Sequence, residues 1–394
     1  MGWAGRIFPM DAGSAPTVSI ARCGSYARDE VRAAVATCLA PLGGIGAFVR
    51  PGSRVLVKPN LLSARSPEDA VTTHPELVRA VVEQVQAAGA TAVVGDSPGG
   101  RNTRSSYDAL LKKTGMQEVM DGTGCEVAYF DDAYDETPAP AGATFRRFRI
   151  ARAVREADTV ICISRMKTHQ LTLLTGAVKV LYGYIPGVAK AEYHLHTRTD
   201  VDTFSDLLLD LCTSFPPALS VMDAVVGMEG HGPSHGTPRQ VGLLLASPSP
   251  YALDLAAARI MGFALEEVPT IRRAMARGIG PASLEAISFS GEPLDAVRVS
   301  PFRHPGPVVL GRVPAPLLRL AGRLLASRPE IRSAACRRCG RCAESCPPGA
   351  ITFVKGRLPR IRHHRCIRCF CCQELCPEGA VEVTYPWIRR LLFS

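Results

Sequence analysis

Over the first 300 residues, apolar and polar positions alternate in short blocks that switch between a period of two and a period near 3.6. TVSIARC reads as a strand, and residues 28–40 follow it as a helix. RVLVKPN is a buried strand ending at Pro59, and residues 74–88 keep a helical period from His74-Pro75 to Gly89. TAVVGDSPGG is a strand running into a turn. Beyond it come the strand DTVICIS, the helix VDTFSDLLLDLC, the strands LSVMDAVVGMEG and VGLLLAS, a helix from Tyr251 to Met261, and a last strand, ISFSG. Alternation of this kind predicts a two-lobed α/β domain over residues 17–300, after an N-terminal extension at 1–16. Residues 301–332 are rich in Pro and Arg and read as a linker, with helical character at PLLRLAGRLLA. A small α+β domain follows at 333–386, and 387–394 form a tail.

The small domain carries the sharpest signal in the chain. C-x2-C-x2-C-x3-C-P occurs twice, as CRRCGRCAESCP and CIRCFCCQELCP. Three thiolates at this spacing wrap one 4Fe-4S cubane while the fourth reaches across to the other. The expected ligand sets are therefore crossed. Cys336, Cys339, Cys342 and Cys376 hold cluster 1; Cys366, Cys369, Cys372 and Cys346 hold cluster 2. A zinc ribbon needs four ligands only and leaves the third Cys and the Cys-Pro of each repeat without a role. Cys371, between two ligands, reads as a bystander. The segment resembles bacterial two-cluster ferredoxins.

Charge sharpens the division. Residues from 301 onward hold 17 Lys and Arg against 5 Asp and Glu, leaving 29 against 31 before them. The basic excess belongs to the linker and cluster domain, where it offsets cluster charge or docks an acidic electron donor such as a ferredoxin or flavodoxin. No aromatic-interleaved basic groove accompanies it, so nucleic acid is not expected. No run approaches a membrane span, the N-terminus lacks a secretory leader, and so many thiols suit the cytoplasm.

Several α/β strands end in polar residues, at Lys58–Asn60, Asp96 and Ser164–His169, and in open α/β sheets such endings share a ligand crevice. The densest polar stretch, SRMKTHQLTLLTGAVKVLYGYIPGVAKAEYHLHTRTD, offers Lys167, His169, Lys179, His194 and His196 among glycines. Lysines hold anions, and histidines bind metal or carry protons. A second stretch, MDAVVGMEGHGPSHGTP, offers Asp223 and Glu229, with a glycine-rich loop able to wrap an anion. Asp254 reads as a carboxylate favoured by the start of its helix.

VKPNLL, THPELVRAV with GATAVVGDSPG, SRMKTHQLTLLTGAVKVLYG and VMDAVVGMEGHGP with its following TP, in this order, resemble domain-of-unknown-function family 362 in its form with a C-terminal ferredoxin. A fainter similarity reaches the lactate racemase family, on the His169–Lys179 spacing, Gly176 between them and Pro186-Gly187 after, although Ala177-Val178 replace the paired glycines. That second resemblance implies a common fold and site location, not a nickel cofactor.

These features lead to one expectation: an iron–sulfur oxidoreductase, a reductase that passes low-potential electrons through two 4Fe-4S clusters to a small anionic substrate or bound cofactor in the α/β crevice. Lys167, His169, Lys179, His194, His196 and Glu229 would serve the chemistry. Lys58, Asn60, Asp96 and Asp223 would hold the substrate, and a further metal or organic cofactor there is left open. A non-enzymatic electron carrier or assembly factor is the alternative, and a redox-neutral isomerase or lyase with structural clusters a weaker one. No GxGxxG follows a suitable strand, so a nicotinamide or flavin Rossmann site is not indicated.

Overall fold

The strand at the centre of the molecule, β7 in chain order (Thr159–His169), is buried at all eleven positions. It lies between β2 (Arg54–Pro59) and β9 (Leu219–Glu229), parallel to both. A strand flanked in this way must be apolar on both faces, and TVICIS supplies that. The computed structural model describes residues 15–197, 200–306 and 327–385. The expected helix at PLLRLAGRLLA, nearly all of the N-terminal extension and the C-terminal tail lie outside the described residues.

Among the described residues the sheet around β7 has nine strands. With β1 (Thr17–Arg22), β3 (Thr91–Asp96), β4 (Glu126–Tyr129), β10 (Thr237–Ser247) and β11 (Ser288–Gly291), the order is β11-β1-β10-β9-β7-β2-β3-β4, and β8 (Leu173–Thr175) pairs with the end of β7. The β1–β10, β10–β9 and β7–β8 pairs are antiparallel and the rest parallel. A separate hairpin joins β5 (Tyr134–Pro138) to β6 (Arg147–Ala151). This is the α/β class read from the sequence.

Helices cover both faces, and the chain order includes α3 (Arg104–Lys113), α4 (Met116–Thr123), α5 (Arg152–Glu156) and α8 (Val201–Ser214). On one face, α1 (Arg28–Leu39) and α2 (Pro75–Ala87) seal a core of Val35, Leu77, Val81 and Val85 against Val55, Val57 and Ile161. Pro75 at the first helical position and His74, whose Nδ1 accepts the Glu76 N–H at 3.3 Å, start α2 where the sequence placed it. On the other face, Leu207, Leu208 and Leu211 pack with Cys162, Tyr184 and Phe148, so Cys162 is the buried small hydrophobe expected. The third core gathers Met166, Met222, Leu245 and Leu253.

The cluster domain is two half-repeats. Arg328–Ile331 pairs with Val381–Thr384, and Ile351–Thr352 pairs with Arg360–Ile361. One-turn helices at Arg341–Glu344 and Cys371–Glu374 carry the third cysteine of each motif, Cys342 and Cys372. The loop 230–236 docks this domain. Ser234 Oγ donates to Glu374 O at 2.8 Å, and His235 Nε2 lies 3.1 Å from Cys376 O.

Candidate functional site

The carboxyl ends of β2, β3 and β7 open into a cavity of about 380 Å³. Lys58, Asn60, Asp96, His169, Lys179 and His194 line it from the α/β side, and Glu344, Pro347, Cys371, Glu374 and Leu375 from the cluster domain. It is therefore an interdomain crevice, and the cluster domain closes one wall.

Its floor is an ion pair. Lys58 Nζ lies 2.7 Å from Asp96 Oδ1, with both side chains buried. Asp96 also accepts the Leu61 and Ser97 N–H groups at 2.7 and 2.9 Å, which satisfies the buried charge. Gly183 faces this pair, and a Cβ there would collide with Asp96 and Lys58. Asn60 Nδ2 donates to Val71 O at 2.9 Å. Lys190 donates to the Ser97 and Pro98 carbonyls, and burial brings it down to about 8.

The strand β7 continues past the expected end at Ser164 to His169, with an irregularity between Arg165 and Lys167. His169 Nδ1 accepts the Leu171 and Thr172 N–H groups at 3.1 and 3.3 Å, so the ring proton sits on Nε2. That atom lies 3.1 Å from Glu374 Oε1, within ion-pair distance but not aligned as a hydrogen bond. Burial lowers His169 to about 4, Lys179 adding to the effect, so the ring is neutral at pH 7. Burial alone would raise Glu374, but His169 and Lys179 outweigh it and hold the carboxylate ionised.

Lys179 stands on α6 (Ala177–Val180), whose start is clamped by Asp254 of α9 (Pro250–Met261). Asp254 Oδ1 and Oδ2 accept the Ala177 and Val178 N–H groups at 2.6 and 3.1 Å. Gly176 lies against that carboxylate, leaving no room for a Cβ. Burial raises Asp254 to about 7. Asp254 thus caps a neighbouring helix rather than its own. Among the described residues Lys179 Nζ has no hydrogen-bond or ion-pair partner; burial lowers its pKa, Lys58 helping and Glu374 opposing. On α7 (Gly187–Thr197), His194 stacks on Phe204 with centroids 4.9 Å apart, and burial lowers it to about 4.

Four sequence-predicted residues lie elsewhere. Lys167 is fully buried behind the crevice and donates to Val71 O at 2.6 Å. His196, two residues after His194, is on the exposed side of α7. Asp223 is committed to Arg165 at 2.8 Å, Tyr26 at 2.7 Å and the His74 N–H at 2.9 Å. Glu229 pairs with Arg239 at 2.7 Å and Arg303 at 2.8 Å and ties down residues 300–303. Sequence reasoning missed Glu374, Thr175 and the role of Cys371 as a crevice wall.

In the cluster domain, one small cavity is lined by Cys346, Cys366, Cys369 and Cys372, and another by Cys336, Cys339, Cys342 and Cys376. Among the described residues no His, Cys, Asp or Glu group is gathered for a single metal ion. Cysteines spread around a cavity suit a polynuclear cluster, whose outer atoms are themselves spaced apart.

The fold and its cysteine repeats define an iron–sulfur protein in which an α/β domain carries a 4Fe-4S ferredoxin domain. More specifically, the chain belongs to the family described as Domain of unknown function (DUF362), which matches residues 55–259, while the 4Fe-4S dicluster domain matches residues 335–380. It is 35% identical over 269 residues to the Thylakoid-associated protein of Synechocystis sp., covering 68% of this chain and 82% of that relative. The lactate racemase apoprotein from Thermoanaerobacterium thermosaccharolyticum is similar at a TM-score of 0.40 and 12% identity, over 65% of this chain and 58% of that one. No helix among the described residues is long and apolar enough to cross a membrane.

Proposed function

We propose that the protein is an iron–sulfur oxidoreductase that reduces a small anionic organic substrate in the interdomain crevice. One observation carries the reading: Cys371 lies between Cys369 and Cys372 in the chain and lines the same cavity as Lys179 and His169. Cys336, Cys339, Cys342 and Cys376 would hold one 4Fe-4S cluster, and Cys366, Cys369, Cys372 and Cys346 the other. When bound, each supplies electrons one at a time, drawn from an acidic low-potential donor.

The overall change is addition of two electrons and two protons to the substrate. Lys179 would hold its anionic group. The Lys58–Asp96 pair and Asn60 shape the floor, and the neutral His169 Nε2–H would hydrogen-bond the substrate; Lys190, brought down to about 8, would give one proton and solvent the other. The buried thiols Cys23, Cys38, Cys125, Cys162 and Cys212 fit a reducing cytoplasm.

The test is a single-turnover experiment. Anaerobic holoprotein with about eight irons per chain is reduced with dithionite, freed of excess and mixed with small unsaturated carboxylates while cluster absorbance is followed. Substrate-dependent reoxidation is expected, and Lys179→Ala should abolish it with an unchanged cluster spectrum. Reoxidation that survives in Lys179→Ala would sink the assignment. Ready electron transfer to partner proteins with none to any small molecule would favour a carrier instead.

A further inference from the structure

The crevice lysines differ in what they have left to offer. Lys58 is neutralised by Asp96, and Lys190 is occupied by two carbonyls. Only Lys179, of the three lysines lining the cavity, has no hydrogen-bond or ion-pair partner among the described residues, Glu374 acting on it through space alone. At the mouth, Arg101 and Glu344 are both exposed, of opposite sign and screened by water. On the cluster wall Glu374 is a carboxylate, which repels a second negative charge.

Two further residues that line the cavity carry unused hydrogen-bonding atoms. Thr175 Oγ1 is buried with no partner, although its residue is only 3% exposed. Of the buried side-chain N and O atoms without a hydrogen bond among the described residues, those lining this cavity are Thr175 Oγ1 and His169 Nε2. A hydroxyl left in that state is desolvated without compensation, a cost removed when a ligand oxygen arrives. The N-terminus of α6 is not a competing anion site, since Asp254 already takes its first two N–H groups. The rest of the lining includes apolar surface from Leu62, Tyr182, Val188, Phe204 and Leu375. At about 380 Å³ the space is at the small end of ligand pockets.

Resting on the proposed reading of this crevice, we infer that its ligand is a monocarboxylate with an apolar body, its carboxylate held by Lys179 Nζ and Thr175 Oγ1. Lys179 Nζ, a half-buried crevice cation with no hydrogen bond or ion pair among the described residues, can take one carboxylate. Phosphate esters and dicarboxylates would bring a second charge to face Glu374 or leave it buried and unpaired.

The inference is tested by isothermal titration of the anaerobic holoprotein. Benzoate, cinnamate and hexanoate are compared with benzamide and cinnamamide and with the dianions fumarate and phthalate. At least one monocarboxylate should bind at millimolar concentration or below, with its amide and the dianions at least about tenfold weaker. Lys179→Met and Thr175→Val should each weaken the carboxylate by about tenfold or more, the range of a hydrogen bond to a charged group. Thr175→Val should also raise the melting temperature of the ligand-free protein, which separates binding from scaffolding. Absence of binding by all three monocarboxylates, equal affinity for the amides, tighter binding of the dianions, or insensitivity to both substitutions would each overturn it. Monocarboxylate binding without cluster reoxidation would sink the redox reading alone. Reoxidation that requires Lys179 but is unchanged in Thr175→Val, with the amides bound as tightly as the acids, would sink this inference alone.

Discussion

Glu374 of the cluster domain lies 3.1 Å from the Nε2 of His169, at the end of the central strand of the α/β sheet. The contact joins the wall that carries the cluster cysteines to the wall that carries the lysines. Ser234 and His235 hold the same turn through main-chain oxygens. The crevice thus exists only while the two domains are docked.

Removing that carboxylate should loosen docking without unfolding either part. Glu374→Ala leaves the His169 ring facing a hole, and amide exchange in segments 230–236 and 371–376 should accelerate about tenfold, which corresponds to roughly 1.4 kcal/mol of local opening. Exchange in β2 and β3 should not move. Uniform acceleration across the sheet would instead mean that Glu374 supports the whole fold.

Buried histidines set an acid limit. His169 and His194 titrate near 4 in the fold, against about 6.5 when exposed. Between those values the unfolded chain binds more protons, so stability falls as pH drops from about 6.5 towards 4. Around His194 the charged or titratable groups are Glu374, which favours its protonation, and Lys179, His169 and Lys190, which oppose it. His194→Phe keeps the stacking on Phe204 and should flatten the slope of unfolding free energy against pH by about one proton. Parallel slopes for the two proteins would show that His194 is protonated in the fold.

Much of this was legible in the chain and some was not. The cysteine quartets follow from spacing because one short motif fixes which thiols face each other. Lys58, Asn60 and Asp96 were readable as strand endings because open α/β sheets gather ligands there. Lys167, Asp223 and Glu229 look identical to crevice residues in sequence, yet each is spent on a partner that only the fold brings near, Val71 O, Arg165 and Arg239. Glu374 and Thr175 carry no local signal, since their importance arises from docking two domains. The helices over 177–197 were hidden by glycines that read as loop.

Asp254 opposes the histidines in sign. Its pKa is raised to about 7 by burial, so the fold binds more protons than the unfolded chain between about 4 and 7, and the stability it contributes is lost as pH rises through 7. Asp254→Asn removes the charge but keeps one acceptor for Ala177 or Val178. The variant should gain on the wild type in denaturant midpoint as pH goes from 5.5 to 8. Displacement of Lys179 should also weaken anion binding at both pH values. A pH-independent gap between the two midpoints would refute the buried carboxylate as its source.

The cluster cavities differ in exposure, and on the proposed reading that difference would give electron flow a direction. Cys339 is exposed, whereas Cys369 and Cys372 are buried beside the crevice wall. Around Cys339 the motif places Arg337, Arg338 and Arg341, all exposed; Arg337 reaches Glu378 at 3.1 Å and Arg338 reaches Gly356 O at 3.0 Å. The acidic donor proposed above would meet positive charge here, at the quartet farther from the crevice, and steering of this kind accelerates encounter by about tenfold or more at low salt. Reversing all three arginines to Glu should slow reduction by an acidic ferredoxin to that extent. The deficit should shrink as ionic strength shortens the range of the field. Reduction by dithionite and the iron content should stay as in the wild type, because neither depends on docking. Equal rates with the acidic ferredoxin at low salt would place the intake face elsewhere on the domain, among Arg357, Arg360, Arg362, Arg365 and Arg368, and would undo the direction assigned to the electrons.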